Sequence, residues 1–150
     1  MPQSLSSILV HLVFSTKNRE PFITPELEVE LHRYMAGIFR ELKSPTLSIG
    51  GTDDHIHILL ALSRTETMAN LVEEAKTSTS KWIKTKGRQY RGFHWQSGYG
   101  AFSIGQSNVP ALKRYISTQR EHHAHKSFQA ELRLLCKRYG VELDERYAWD

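Results

Sequence analysis

The chain has 150 residues, 39% hydrophobic and 24% charged, which fits one folded domain with a sizeable core and excludes a disordered polymer. Lys and Arg number 20 against 16 Asp and Glu, giving a net charge of +4 and a pI near 9.3; a polyanionic partner is permitted but not required. A single cysteine, Cys136, excludes an internal disulfide scaffold, and no apolar run is long enough to span a bilayer.

Met1-Pro2-Gln3-Ser4 has no basic segment leading into a secretory core, so a soluble cytoplasmic protein is expected, folded as one domain over 1–150. Ile8–Phe14 is an apolar, β-branched run and reads as a mostly buried strand. Thr24-Pro25-Glu26 is a helix start, and Leu27, Leu31, Tyr34, Met35, Ile38, Phe39 and Leu42 follow at helical spacing. Ser44-Pro45 stops that helix. Thr46–Ile49 and Ile56–Leu62 read as two strands around the turn Gly50-Gly51-Thr52-Asp53, an antiparallel hairpin.

A second helix is predicted from about Thr67 to Lys84, then a basic loop over Lys86–Gly92 and strand pieces at Phe93–Gln96 and Tyr99–Ile104. Asn108 and Pro110 open a third helix expected to run to about His123. A last helix covers Ser127–Tyr139 and stops at Gly140, and the tail after it has no strong periodicity. The order is strand, helix, strand, strand, helix, strand, helix, helix. The first six elements match a ferredoxin-like (split βαβ) α+β fold, an antiparallel sheet with helices packed on one face, followed by C-terminal helices.

Several residues carry chemistry. His55 and His57 flank Ile56 at the start of the central strand, so both side chains share a face and can hold a metal ion; Asp53 and Asp54 precede them and can orient them. The plain alternative is a pair of half-exposed strand histidines. Tyr115 and Gln119 are four apart on a helical segment, a phenol and an amide on one stripe. The plain alternative there is an interface tyrosine with a solvated glutamine. His122 and His123 lie three and four after Gln119 and form a competing cluster, or simply a hydrophilic helix end. Basic residues gather at Lys17 and Arg19 and again at Lys76, Lys81, Lys84, Lys86, Arg88 and Arg91, interleaved with Trp82, Tyr90, Phe93 and Trp95, a combination suited to single-stranded nucleic acid. The tryptophans fit the core better than a binding face. No phosphate-binding glycine loop, zincin helix, nucleophile elbow or cysteine pair is present in the sequence.

Taken together, Asp54-His55-Ile56-His57 resembles the His-hydrophobe-His motif of the HUH endonucleases. Tyr115-Ile116-Ser117-Thr118-Gln119 resembles the Tyr-x-x-x-Gln helix of their small, single-tyrosine insertion-sequence transposases. The stretches His11–Lys17 and Trp95–Ser103 also match that family's pattern. The resemblance runs over nearly the whole chain in the right order. It implies a homodimer whose tyrosine helix can serve the histidine pair of the other subunit. It implies Mg2+ or Mn2+ held by His55, His57 and Gln119, with Asp54, His122 and His123 behind them, and Tyr115 as nucleophile. The implied substrate is single-stranded DNA with hairpins at the element ends, cut and rejoined through a 5′-phosphotyrosine. The basic pattern itself gives Lys17, Arg19, Lys81, Lys84, Lys86, Arg88 and Arg91 as the residues to hold it, with a solvated helix face and loop as the plain alternative. Two other readings carry the same residues: a non-catalytic nucleic-acid-binding module, and a metal-dependent phosphoesterase built on His55 and His57.

Overall fold

Three helix starts written in the sequence are made in the structure, a computed structural model that describes residues 3–122 and 126–149. Thr24, Thr67 and Ser127 each accept a hydrogen bond on the side-chain oxygen from the backbone N–H three residues on, at 3.3, 3.1 and 3.1 Å. They open α1 (Pro25–Glu41), α2 (Met68–Lys84) and α5 (Phe128–Tyr139). Gly140 closes α5 with a left-handed φ of 68°, a conformation that favours glycine.

Four strands make one antiparallel sheet: β1 (Leu9–Ser15), β2 (Thr46–Gly51), β3 (His55–Ala61) and β4 (Gly100–Ser103), in the order β2-β3-β1-β4. The two central strands pair over their full length, with Val13 opposite His57 and Ser15 opposite His55. Every residue of β1 is buried, because both faces of the sheet are covered and neither needs a polar alternation.

Strand alternation then divides the molecule in two. Val10, Leu12, Phe14, Ile56, Ile58 and Leu60 point to one face and form the main core with α1 and α2, through Leu31, Met35, Phe39, Leu71 and Ala75. Leu9, Val13 and Leu59 point to the other. There α3 (Val109–Ser117) packs Val109 and Ile116 over Leu9 and Leu59, and α5 packs Phe128, Leu132 and Leu135 over Val13 and Phe102. The C-terminal helices thus roof the second face, and they roof it above His55 and His57.

The structure departs from the sequence expectation in four places. The third helix does not run through to His123: it stops at Ser117, and a short α4 (Gln119–His122) restarts after Thr118. The Ser117 and Thr118 hydroxyls both donate to the Arg114 carbonyl, at 3.0 and 2.9 Å, local bonds that compete with the helical ladder. Asn108 sits in a 3-10 turn and makes no side-chain cap bond. Gly50 and Gly51 belong to β2 rather than to the turn. Phe93–Gln96 forms only a single bridge, Trp95 to Thr16, since the Phe93 and Trp95 rings are turned into the core against Phe22 and Phe14. Trp95 is buried as expected, whereas Trp82 is only half-buried and stacks on Tyr34.

Candidate active site

β3 begins at His55, so His55 and His57 project from one face of a central strand, and that face is the one roofed by α3 and α5. Both imidazoles are fully buried. Their rings lie 5.2 Å apart, nearly perpendicular. Asp54 Oδ1 lies 2.7 Å from His55 Nδ1, with Thr52 Oγ1 at 2.9 Å from the same nitrogen. The carboxylate can only accept, so the proton is on Nδ1. Asp54 thus lies against the outer nitrogen of the His55 ring. Asp53 does not: it pairs with Arg120 at 2.8 Å, and Arg120 also pairs with Glu28 of α1 at 2.8 Å, tying α4 to the hairpin turn.

Tyr115 hangs from α3 with its ring 5.7 Å from that of His57. Gln119, the first residue of α4, donates from Nε2 to the Tyr115 carbonyl at 3.2 Å, which turns its Oε1 toward His55 Nε2 at 3.1 Å. The break at Thr118 does not separate the pair. Within the single chain the tyrosine and the histidines already meet.

Two further residues complete the cluster. Glu131, in the first turn of α5 and 2% exposed, places Oε1 2.6 Å from His57 Nε2 and 3.5 Å from His55 Nε2. Its other oxygen accepts from the Tyr115 hydroxyl. His11, on β1, places Nε2 2.7 Å from His57 Nδ1 with the rings stacked at 5.0 Å. Burial and the neighbouring His57 hold the His11 imidazole down at about 3, so it is neutral near pH 7. Burial, and next the hydrogen bond to the Glu131 carboxylate, push the Tyr115 phenol above its ordinary value, while Gln119 and then Arg138 pull the other way.

The donor set fits a divalent cation. Ligand atoms of His55, His57 and Glu131 all lie within 4.8 Å of one another. With its proton on Nδ1, His55 turns a lone pair toward the amide oxygen of Gln119 and the carboxylate of Glu131. Such a gathering of acceptors needs a proton or a cation at its centre. Two imidazole nitrogens with two oxygens is a set that divalent metals accept.

The sequence reading did not single out Glu131 or His11. Glu131 passes for a first-turn acid that complements the helix dipole. A signal was present: it lies three after Phe128 and four before Leu135, on the apolar stripe of α5, where an unpaired acid is costly. His11 likewise interrupts an otherwise apolar strand.

The basic residues lie elsewhere. Lys81, Lys84, Lys86, Arg88 and Arg91 sit at the end of α2 and just after it, on the helical layer across the sheet from Tyr115. Lys86 is engaged by Glu30 at 3.3 Å and by the Trp82 ring. Lys76 is structural: its ammonium donates to the carbonyls of Gln96 and Gly98, both at 2.7 Å, and burial lowers it to about 8. Lys17 is exposed just past the end of β1, and Arg19 donates to the Trp149 carbonyl at 2.6 Å, which helps pin the tail. His123 and the His122 side chain lie outside what the structure describes. Among the described residues no helix is long and apolar enough to cross a membrane.

A four-stranded antiparallel α+β sheet with helices on both faces is the fold of transposases in two solved structures. One, a candidate transposase from Deinococcus radiodurans R1, superposes with a TM-score of 0.62 at 17% identity, over 77% of this chain and 95% of that one. The other, a REP-associated tyrosine transposase bound to a REP hairpin, gives 0.58 at 13%, over 77% of this chain and 68% of that one. A family model described as "Transposase IS200 like" matches residues 4–119, and the chain belongs to that family. No curated protein matches it. The matched segment ends at Gln119, so α5 and Glu131 lie beyond it.

Proposed function

We propose that this transposase cuts and rejoins single-stranded DNA at hairpin-bearing element ends, with Tyr115 as nucleophile and His55, His57, Gln119 and Glu131 as the holders of a Mg2+ or Mn2+ ion. The observation that carries the reading is the convergence on one buried carboxylate: Glu131 accepts the Tyr115 hydroxyl on one oxygen and meets both imidazole Nε2 atoms with the other. A nucleophile and a cation-binding cluster are thereby joined by a single side chain.

The residues divide the work. Asp54 fixes the His55 ring so that Nε2 faces inward. Gln119 is held by the Tyr115 backbone and offers its amide oxygen to the same centre. The Tyr115 oxygen attacks phosphorus, a P–O bond to tyrosine forms, and the bond to the 3′-oxygen breaks. The released 3′-oxygen takes up a proton, and the 5′-phosphate stays on the protein. A cation, when bound, neutralises charge on the phosphate and assists ionisation of the phenol. Rejoining is the reverse attack by another 3′-hydroxyl and needs no external energy source, because the covalent link conserves the phosphodiester. The same reading takes 1–150 as one transposase domain acting on cytoplasmic DNA as a homodimer, which sedimentation of the purified chain tests.

The chemistry is tested by incubating the chain with labelled single-stranded DNA from the flanks of its own gene. A denaturation-resistant adduct that needs divalent metal and disappears in Tyr115→Phe is expected. An adduct that persists in the phenylalanine variant removes Tyr115 from the nucleophile's role.

A further inference from the structure

Beside the metal cluster lies a second feature that strand transfer by itself does not use. A cavity of about 560 Å³ opens next to Tyr115, between α3 and α5. Leu112 and Leu135 give it apolar walls, Tyr139 an aromatic one, and Lys126 and Arg138 two cations. Tyr115 and Glu131 line it too, so it shares a wall with the cluster. Its size is that of a small-ligand site. The mix of flat apolar walls and exposed cations suits a nucleotide, with the base inside and phosphates beside the cations.

His11 also lines this cavity. It is 1% exposed, and among the described residues its Nδ1 has no hydrogen-bond partner. An unsatisfied imidazole nitrogen in a sealed place is costly and calls for a partner. The hydrogen-bond chain says which kind. A cation held at His57 Nε2 leaves the proton of that ring on Nδ1, which must then donate to His11 Nε2 at 2.7 Å. The His11 proton is then on Nδ1, a buried donor within the wall of the cavity.

We propose that this cavity is a nucleobase pocket for the nucleotide next to the cleaved bond, with His11 as the buried donor that reads an acceptor on the base edge. The proposal rests on the strand-transfer reading for the position of the cleaved bond. His11 is a specificity residue here, and it acts on the metal cluster only by orienting His57.

The test uses the full chain with Tyr115→Phe, so that binding is measured without cleavage. Oligonucleotides from the gene's own flanking strand carry a single abasic residue at each successive position, and affinity is measured by fluorescence anisotropy in Mn2+. One position beside the bond cut by the native chain is expected to lose roughly tenfold or more in affinity, the scale of a lost stacking contact. Adding Ala111→Trp, which fills the cavity from an exposed position on α3, is expected to flatten that profile while Mn2+ binding is retained. His11→Phe is expected to reduce the same step. A flat abasic profile in the parent overturns the pocket, as does an unaltered profile after Ala111→Trp. A stepped profile with no covalent adduct from the native chain keeps a base pocket, removes the chemistry and overturns the assignment of the pocket to a cleaved bond. An adduct with a flat profile does the reverse, and no binding of any oligonucleotide overturns both.

Discussion

Tyr115 donates its hydroxyl to Glu131, and the other oxygen of that carboxylate lies 2.6 Å from His57 Nε2. The nucleophile candidate on α3 is therefore fastened to the strand histidines by a residue of α5. Replacing Glu131 with Gln keeps the volume and removes the charge. The phenol of Tyr115 is then expected to titrate closer to its ordinary value, because a carboxylate acceptor is one of the causes that raise it. Mn2+ binding is expected to weaken as the cluster loses its anionic ligand. Ultraviolet titration of tyrosine and calorimetric titration with Mn2+ read the two effects, and unchanged Mn2+ affinity would exclude Glu131 as a ligand.

The raised phenol gives a pH dependence with a definite sign. Above pH 10 an unfolded chain loses the Tyr115 proton while the folded chain keeps it. The folded state then binds more protons, so stability falls as pH rises beyond 10. Tyr115→Phe is expected to show a shallower alkaline loss of stability than the native chain in denaturant titrations. Parallel slopes would mean that the phenol is not held in its neutral form by the fold.

Much of this site was legible in the sequence, for physical reasons. His55 and His57 obey the two-residue period of a strand, and Tyr115 and Gln119 are one helical turn apart; both patterns survive even though the helix breaks at Thr118. The capping residues Thr24, Thr67 and Ser127 mark helix starts because their hydroxyls have a local job. Glu131 and His11 leave only a trace in the sequence, a polar residue in an apolar stripe, because what brings them to the site is tertiary: one comes from α5 and the other from β1, and both meet His57. The placing of the basic residues across the sheet is tertiary in the same way.

Asp54 makes the clearest supporting contact to a histidine, at 2.7 Å. Asp54→Ala removes that contact and keeps the Thr52 hydroxyl beside His55 Nδ1. Metal affinity is expected to fall about 10- to 100-fold, the usual cost of losing a carboxylate behind a metal-bound imidazole, while thermal unfolding without metal changes little. Equal Mn2+ affinity of variant and parent would show that the ring is held by packing alone.

Gly50 sits on β2 directly under α3. A Cβ at that position would overlap the carbonyl oxygen of Ile116, the residue after Tyr115. Backbone cannot yield as a side-chain tip can, so Gly50→Ala is expected to lift α3 and cost about 1–3 kcal/mol of stability, as overpacked sites do. The same shift moves Tyr115 relative to His57. Loss of adduct formation should therefore exceed what the fraction of unfolded chain explains, as measured by chemical denaturation alongside the adduct assay. A variant as stable and as active as the parent would mean that α3 is not seated on β2 as described.

Lys84 and Arg88 are exposed on the layer across the sheet from Tyr115, and among the described residues neither has an ion-pair partner. Lys86 beside them is already paired with Glu30. If the basic face holds the DNA hairpin while the opposite face holds the cleaved strand, the two faces should be separable by salt. Each phosphate contact adds about one unit to the slope of log affinity against log salt. Lys84→Gln with Arg88→Gln is expected to lower that slope by about two and weaken hairpin binding, leaving Mn2+ affinity intact, because the cluster lies on the other face. Lys86→Gln is expected to change the slope less, since its charge is partly spent on Glu30. An unaltered slope in the double variant would place the hairpin away from the end of α2, and a drop in Mn2+ affinity would mean that the two faces are coupled through the sheet.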